Sequence, residues 1–139
     1  MISKELLTTY SNSKGSFTML QTKDDLLPLS FTKSYISVIN PNITKGFYRH
    51  TAKVSNLICI KGTIRFYYLV NNHFEYFDVT EDLLEIVKIS AEEWYGWKNL
   101  SDEPSWLLNI CYEGEDNQES RQDPEILNGW FGRELDDKI

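Results

Sequence analysis

The sequence is poor in the residues that hold metal ions and covalent cross-links. Its 139 residues include only two cysteines and two histidines. Cys59 and Cys111 lie far apart, each inside an apolar run, and this pattern favours buried reduced thiols over a metal knuckle or a disulfide framework. The cysteines therefore favour a cytoplasmic location.

Long apolar runs and an excess of positive charge are also missing. No stretch approaches the roughly 20 apolar residues of a membrane-spanning helix. The first residues, MISKELLTTYSNSKG, lack the apolar core of a signal peptide. The formal net charge is −7, so nucleic acid would bind against an unfavourable field. The sequence predicts a soluble protein that is not secreted and binds neither membranes nor nucleic acid.

Hydrophobic residues make up 41% of the chain and aromatic residues 14%, which is enough for one packed core. The length is typical of a single domain. Short β-rich runs alternate with turn residues, and no stretch demands a long helix. This pattern predicts an all-β sandwich or barrel.

The predicted strands can be placed along the chain from their apolar runs and turn signals. Lys61-Gly62 and Asn71-Asn72 read as hairpin turns, and TEDLLEI reads as a turn that feeds a strand. The predicted strands cover residues 16–21, 34–39, 46–50, 56–60, 63–70, 73–79, 85–89, 94–98 and 105–112.

The chain divides into a barrel with its N-terminal strands, residues 1–112, and a C-terminal part, residues 113–139. The second part begins as a polar loop and ends in an apolar segment, ILNGWFG. We expect this segment to pack on the barrel or on a second subunit.

The alternation of side chains indicates a cavity inside the barrel. Residues two apart in a strand share a face, so Tyr48 and His50 point one way and Arg49 the other. Tyr95 and Trp97 share a face in the same manner. If both faces turn inward, the barrel holds an aromatic-rich cavity with one imidazole.

Several motifs, taken in order, carry a family resemblance: SNSKGSF, SYISVINPNITKGFYRH, LICIKGTIRFYYL, VKISAEEWYGWKNLSDEPSWLLNI and RQDPE. With this order and spacing the chain resembles the dTDP-4-dehydrorhamnose 3,5-epimerases and their shorter relatives, a sugar-nucleotide branch of the cupin jelly rolls. The resemblance implies a single-domain cupin-type jelly-roll barrel, a homodimer and no cofactor. It also implies a barrel mouth that admits a nucleotide-linked (dTDP) 4-keto-6-deoxy sugar.

The resemblance also assigns catalytic roles. In that family a base removes protons beside the ketone and a tyrosine returns them on the opposite face. The family's catalytic histidine aligns with Tyr48, and a neutral tyrosine is a poor base at neutral pH. We therefore expect His50, two residues later, to act as the base. Tyr112, near the end of the last core strand, best matches the acid.

The predicted substrate-binding residues follow from the same alignment. Lys14 replaces an arginine of the family's early glycine motif, which keeps the charge near the phosphates but loses the bidentate fork. Ser55 stands where the family has a lysine or an acidic residue, and Tyr95 where it has a second histidine. The predicted substrate-binding set is Lys14, Tyr48, Ser55, Tyr95 and Trp97.

Two functions remain open at this point. The first is an epimerase or isomerase of a dTDP-linked deoxy sugar, in which His50 and Tyr112 transfer protons. The second is a cupin that has lost catalysis and binds a carbohydrate or nucleotide sugar, or serves as a structural dimer. His50 itself is either the base or a histidine hydrogen-bonded at the barrel rim.

A metal-dependent cupin is disfavoured. Such a site needs about three imidazoles and a carboxylate around one ion. The chain offers only His50 and His73. We expect His73, which follows a turn, to be exposed.

Overall fold

A computed structural model describes residues 2–19, 33–71, 73–112 and 118–120. These residues form strands and turns, and none of them lies in a helix long and apolar enough to cross a membrane. The strands are β1 (Ile2–Leu6), β2 (Thr9–Asn12), β3 (Gly15–Thr18), β4 (Lys33–Ile39), β5 (Thr44–His50), β6 (Val54–Lys61), β7 (Thr63–Val70), β8 (His73–Thr80), β9 (Glu85–Ile89), β10 (Tyr95–Asn99), β11 (Ser105–Tyr112) and β12 (Gln118–Ser120).

Two five-stranded sheets build the body of the protein. The first sheet has the strand order β1-β9-β6-β11-β4, and the second has the order β12-β5-β10-β7-β8. β2 and β3 form a separate two-stranded hairpin. Neighbouring strands are antiparallel, as in a jelly roll. The predicted all-β class is confirmed.

The main core lies between the two sheets. Each strand alternates its side chains, so every second residue faces the opposite sheet. Burying one large aliphatic or aromatic side chain in such a core stabilises the fold by about 1.5–3 kcal/mol. The buried cluster consists of Ile39, Leu57, Cys59, Ile64, Phe66, Val79, Val87, Ile89, Tyr95 and Leu107.

The outer faces of the two sheets carry smaller apolar clusters. Phe47 and Tyr67 are buried on the outside of the second sheet, where Arg49 lies over the Trp94 ring at 5.5 Å. Ile58 and other aliphatic residues form a cluster on the outside of the first sheet. The predicted outward direction of Arg49 is therefore confirmed.

One of the two predicted hairpin turns is confirmed and the other is wrong. β7 and β8 pair antiparallel with Val70 opposite His73, so they form the predicted hairpin, and Asn71 has a positive φ of 48°. His73 is exposed as expected. Lys61-Gly62 instead carries the chain from the first sheet to the second, because β6 and β7 lie in different sheets. Local sequence encodes the sharp turn but not the partner of the next strand.

Gly62 shows why that turn needs glycine. Its φ is +86°, and a side chain there would collide with the hydroxyls of Ser105 and Ser101. The turn thus depends on the missing Cβ for both its backbone and its packing.

The predicted strands from residue 34 onward are present to within about two residues at each end. Sequence reasoning missed β1, β2 and β12. β12 pairs with β5, with Gln118 opposite His50, so strand structure continues into the predicted polar loop. The apolar segment ILNGWFG, residues 126–132, lies outside the described residues.

Candidate active site

A cavity of about 180 Å³ opens between the two sheets. It is smaller than the roughly 300–1,000 Å³ of pockets for drug-sized ligands, so it has room for about one small ring. Its walls consist of Tyr35, Tyr48, His50, Lys53, Leu57, Tyr95, Trp97 and Asn109.

The second sheet supplies an aromatic wall. Tyr48 of β5 lies directly opposite Tyr95 of β10 in the strand ladder. Their ring centroids are 6.1 Å apart, and the Tyr95 and Trp97 rings stack at 5.7 Å. The inward direction predicted for these residues and for His50 is confirmed.

His50 ends β5 and is 6% exposed. Its Nε2 lies 3.1 Å from the Tyr95 hydroxyl. Its carbonyl oxygen accepts a hydrogen bond of 2.7 Å from the Glu92 amide, which anchors the end of the strand. The site thus holds an oriented imidazole, the side chain best suited to proton transfer near neutral pH.

The first sheet supplies a polar wall from three separate chain segments. Tyr35 of β4 lies opposite Asn109 of β11, which lies opposite Leu57 of β6. Lys53 precedes β6 and is 9% exposed. The strand register therefore puts the phenol and the amide side by side, and the connection before β6 brings the Lys53 amine to the phenol.

The Tyr35 hydroxyl is the centre of this wall. It accepts a hydrogen bond of 2.7 Å from Lys53 Nζ and one of 2.9 Å from Asn109 Nδ2. Both bonds use lone pairs of the phenol oxygen, so its own proton is left to donate elsewhere. Tyr35 is therefore a proton donor with a basic side chain beside its oxygen.

Tyr48 is unsuited to act as a base. Burial raises the pKa of its hydroxyl above the ordinary value of 10.0. The phenol therefore stays protonated at neutral pH, and it can donate a hydrogen bond to a ligand.

No family model matches the sequence. A curated relative, the probable low-salt glycan biosynthesis epimerase of Haloferax volcanii, is 28% identical over 99 residues. The match covers 63% of this chain and 64% of that relative, so the chain spans less than two thirds of its length.

Solved structures extend the comparison. The sugar 3,4-ketoisomerase QdtA of Thermoanaerobacterium thermosaccharolyticum, in complex with TDP, superposes with a TM-score of 0.74 at 17% identity, over 91% of this chain and 92% of that one. The 4-keto-6-deoxy sugar epimerase NovW of Streptomyces spheroides gives 0.74 at 14%, over 89% and 71%. The RmlC epimerase of Mycobacterium tuberculosis gives 0.75 at 14%, over 93% and 74%.

The chain has the RmlC-like cupin fold. The predicted cupin-type jelly roll is thereby confirmed. So is the predicted likeness to the dTDP-sugar epimerases and isomerases, which the superposed proteins represent.

The cupin barrel does not bring every predicted site residue to the cavity. Tyr112 is 38% exposed and points to the outer face of β11, because it is three residues from the inward Asn109. Lys14 lies exposed at the turn of the β2–β3 hairpin, away from the cavity walls. Ser55 is buried behind the wall, with its Oγ 3.4 Å from Asn109 Nδ2.

Sequence reasoning missed three residues of the cavity walls: Tyr35, Lys53 and Asn109. Alternation could have found two of them, because Tyr35 shares a face with the buried Ile39, and Asn109 with Leu107. Lys53 lies in the connection between β5 and β6, where no alternation indicates the direction of its side chain.

A larger open depression of about 490 Å³ surrounds the Gly62 turn. Its walls carry several carboxylates, including Glu81 and Asp102, but no aromatic or imidazole group. No cluster of three or more His, Cys, Asp or Glu suited to a metal ion occurs in the described part of the chain. We therefore place the candidate active site in the smaller cavity, where His50 and Tyr35 lie.

Proposed function

We propose that this RmlC-like cupin is an epimerase or isomerase of nucleotide-linked (dTDP) 4-keto-6-deoxy sugars that moves a proton at a carbon beside the ketone. The observation that carries this proposal is the single cavity with His50 on one sheet and the Tyr35–Lys53 pair on the other. The neighbours support it: a mutant of the 3,4-ketoisomerase QdtA was solved with TDP-4-keto-6-deoxyglucose, and the 3′-monoepimerase ChmJ with dTDP-quinovose.

His50 begins the reaction as the base. It takes a proton from the carbon beside the ketone, so a C–H bond breaks and an N–H bond forms. The electron pair moves onto the ketone oxygen and produces an enolate. Lys53 and the Tyr35 hydroxyl lie together on the opposite wall, where they can stabilise that negative charge.

Tyr35 completes an epimerisation as the acid. Its O–H bond breaks as a new C–H bond forms on the face opposite His50. Proton exchange with solvent then removes the proton from His50 and returns one to Tyr35. In a ketoisomerisation the enolate oxygen instead gains a proton and gives an enediol. The neighbouring hydroxyl then loses its proton and becomes the new ketone, while His50 returns its proton to the former ketone carbon. We propose Tyr35 in place of Tyr112 because Tyr112 lies on the outer face of its strand.

The aromatic wall binds and shields the sugar in this proposal. Tyr48, Tyr95 and Trp97 present apolar ring faces to the C–H groups of a pyranose, and Tyr48 remains protonated to donate a hydrogen bond. The cavity has room for the sugar alone, so the nucleotide lies outside it. Lys14, exposed on the β2–β3 hairpin outside the cavity, stays the proposed partner of the phosphates.

We also propose a cytoplasmic homodimer. The first sheet exposes Ile36 and Val38 by 50% and 51%, and Trp106, opposite Val38 in the ladder, by 41%. Such an exposed apolar strip favours a protein partner. β1, the edge strand of the first sheet among the described residues, is the other candidate for the interface. The two buried free cysteines, Cys59 and Cys111, are consistent with a reducing compartment.

One observation favours a second candidate function. Tyrosines stand at both positions, Tyr48 and Tyr95, that align with histidines of the family, and burial keeps Tyr48 protonated. A cupin that binds a nucleotide sugar without turning it over would have the same cavity.

Proton exchange separates the two candidates. The protein is incubated with dTDP-4-keto-6-deoxyglucose in deuterated water, and the sugar protons and the ligand line widths are followed by NMR. Deuterium at a carbon beside the ketone is expected from the enzyme. Line broadening without exchange would overturn catalysis in favour of binding. If neither exchange nor broadening occurs, the proposed ligand class is wrong.

A further inference from the structure

Two polar atoms in the cavity walls have no hydrogen-bond partner among the described residues. They are the amide oxygen Oδ1 of Asn109 and the indole Nε1 of Trp97, and both atoms are buried. Asn109 as a whole is 4% exposed. Buried polar atoms in folded proteins are nearly always paired, so both atoms call for an explanation.

The two atoms have complementary chemistry and come from opposite walls. Asn109 lies on β11 of the first sheet, and Trp97 lies on β10 of the second. An amide oxygen only accepts hydrogen bonds, and an indole N–H only donates them. A sugar hydroxyl does both, so the hydroxyls of one ring can satisfy both atoms.

The Asn109 amide is already fixed in place. Its Nδ2 donates to the Tyr35 hydroxyl at 2.9 Å and faces Ser55 Oγ at 3.4 Å. These contacts leave Oδ1 for a ligand and hold it next to the proposed acid. A hydroxyl bound there would lie next to the Tyr35 side chain.

We propose that Asn109 and Trp97 are specificity-determining residues that bind ring hydroxyls of the sugar beside the reacting carbon. The cavity then selects 6-deoxyhexoses that keep these hydroxyls and rejects their further deoxygenated counterparts. A site built to hydrogen-bond a hydroxyl rejects an analogue without it, because the protein groups are left buried and unpaired. This inference rests on the proposed nucleotide-sugar function.

Calorimetric titration tests the proposal on the intact protein. The ligands are dTDP-quinovose, its 2-deoxy and 3-deoxy counterparts, and dTDP alone. We expect the wild-type protein to bind at least one deoxy counterpart about 10- to 100-fold more weakly than dTDP-quinovose. In Asn109→Leu and in Trp97→Phe we expect this difference in affinity to fall to about twofold, while the affinity for dTDP is unchanged.

Trp94→Phe is the matched control, because Trp94 packs on the outside of the second sheet against the Phe47–Tyr67 cluster and is not among the cavity walls. It is expected to keep the full difference in affinity. If Asn109 had only a structural role, Asn109→Leu would weaken the binding of all ligands equally and leave the ratio of their affinities unchanged. Equal binding of the three sugars by the wild-type protein, or an unchanged difference in affinity in both cavity variants, would overturn the proposal.

Proton exchange with dTDP-4-keto-6-deoxyglucose separates this inference from the proposed catalysis. If deuterium is incorporated but the deoxy sugars bind as tightly as dTDP-quinovose, the proposed role of Asn109 and Trp97 is wrong and the proposed catalysis stands. If the deoxy sugars bind more weakly but no deuterium is incorporated, Asn109 and Trp97 select the sugar in a protein that binds it without catalysis. Failure of every dTDP sugar to bind overturns both.

Discussion

The Tyr95 hydroxyl lies 3.1 Å from Nε2 of His50, and both residues are buried in the wall of one cavity. The two come from adjacent strands, β5 and β10, and their rings lie nearly parallel at an angle of 29°. This contact fixes the direction of the imidazole, as a hydrogen-bonded partner does for catalytic histidines in general. We therefore expect Tyr95 to position the proposed base.

Replacement of His50 tests its role as the base. His50→Gln is expected to lower the rate of deuterium incorporation by about 10²–10⁴-fold, because a general base contributes about that factor. The rate is followed by NMR with dTDP-4-keto-6-deoxyglucose. His73→Gln, at an exposed position after the β7–β8 turn, is the control and should exchange like the wild-type protein. Equal rates in the two variants would remove His50 from the mechanism.

A pair of tyrosine variants tests which phenol is the acid. Tyr35→Phe keeps the ring but removes the proton donor, so formation of the epimerised or isomerised sugar should fall by about 10²-fold or more. Loss of the acceptor for Lys53 and Asn109 should also lower the free energy of unfolding by about 1–3 kcal/mol. Product is measured by NMR and stability by urea unfolding.

Tyr112→Phe is the matched control for Tyr35→Phe, because Tyr112 lies on the outer face of β11. Its turnover should stay within about twofold of the wild-type rate. The opposite ranking of the two variants would return the role of acid to Tyr112.

Lys53 is expected to stabilise the enolate. Lys53→Met keeps much of the side-chain length without the charge, and it should lower the exchange rate by about 10²–10³-fold, as removal of one oxyanion donor does. Lys61→Met is the control, because Lys61 lies over the Trp106 ring on the other face of the sheet. An unchanged rate in Lys53→Met would show that the charge is held by another group.

The raised pKa of Tyr48 predicts an effect on stability at high pH. A phenol whose folded pKa exceeds its unfolded pKa stabilises the fold fully below the unfolded value, and this stabilisation is lost as pH rises through the folded value. The free energy of unfolding of Tyr48→Phe should therefore fall less than that of the wild-type protein between about pH 8 and about pH 11.

Urea unfolding at the two pH values measures this difference. Tyr10→Phe, an exposed position on the β2–β3 hairpin, is the control and should follow the wild-type curve. If Tyr48→Phe declines as steeply as the wild-type protein, burial does not suppress ionisation of Tyr48.

The proposed dimer can be tested on the apolar strip of the first sheet. Light scattering at micromolar concentration should give the mass of a dimer. Val38→Lys should give a monomer, since a charge within an apolar interface is left without solvent or partner. Leu83→Lys, on the turn between β8 and β9, should remain dimeric. A monomeric wild-type protein would contradict the proposal.

Much of the fold could be predicted from local patterns. The strands from residue 34 to Tyr112 and the turn after β7 carry clear alternation and turn residues, and the structure has them. β1 and β12 carry weaker signals, since their partners β9 and β5 lie far away in the sequence. The Lys61-Gly62 turn was misread because a tight turn has the same local signature within a sheet and between sheets.

The sequence by itself determined which side chains of one strand share a face, because alternation is a local property of the extended backbone. It therefore determined that Tyr48 accompanies His50 and that Tyr95 accompanies Trp97. Only the tertiary structure decided that Tyr35, Lys53 and Asn109 lie across the cavity from His50. These residues come from separate segments of the chain. The register of β4 and β11 within one sheet brings Tyr35 and Asn109 together, and the connection from β5 into β6 brings Lys53 to them.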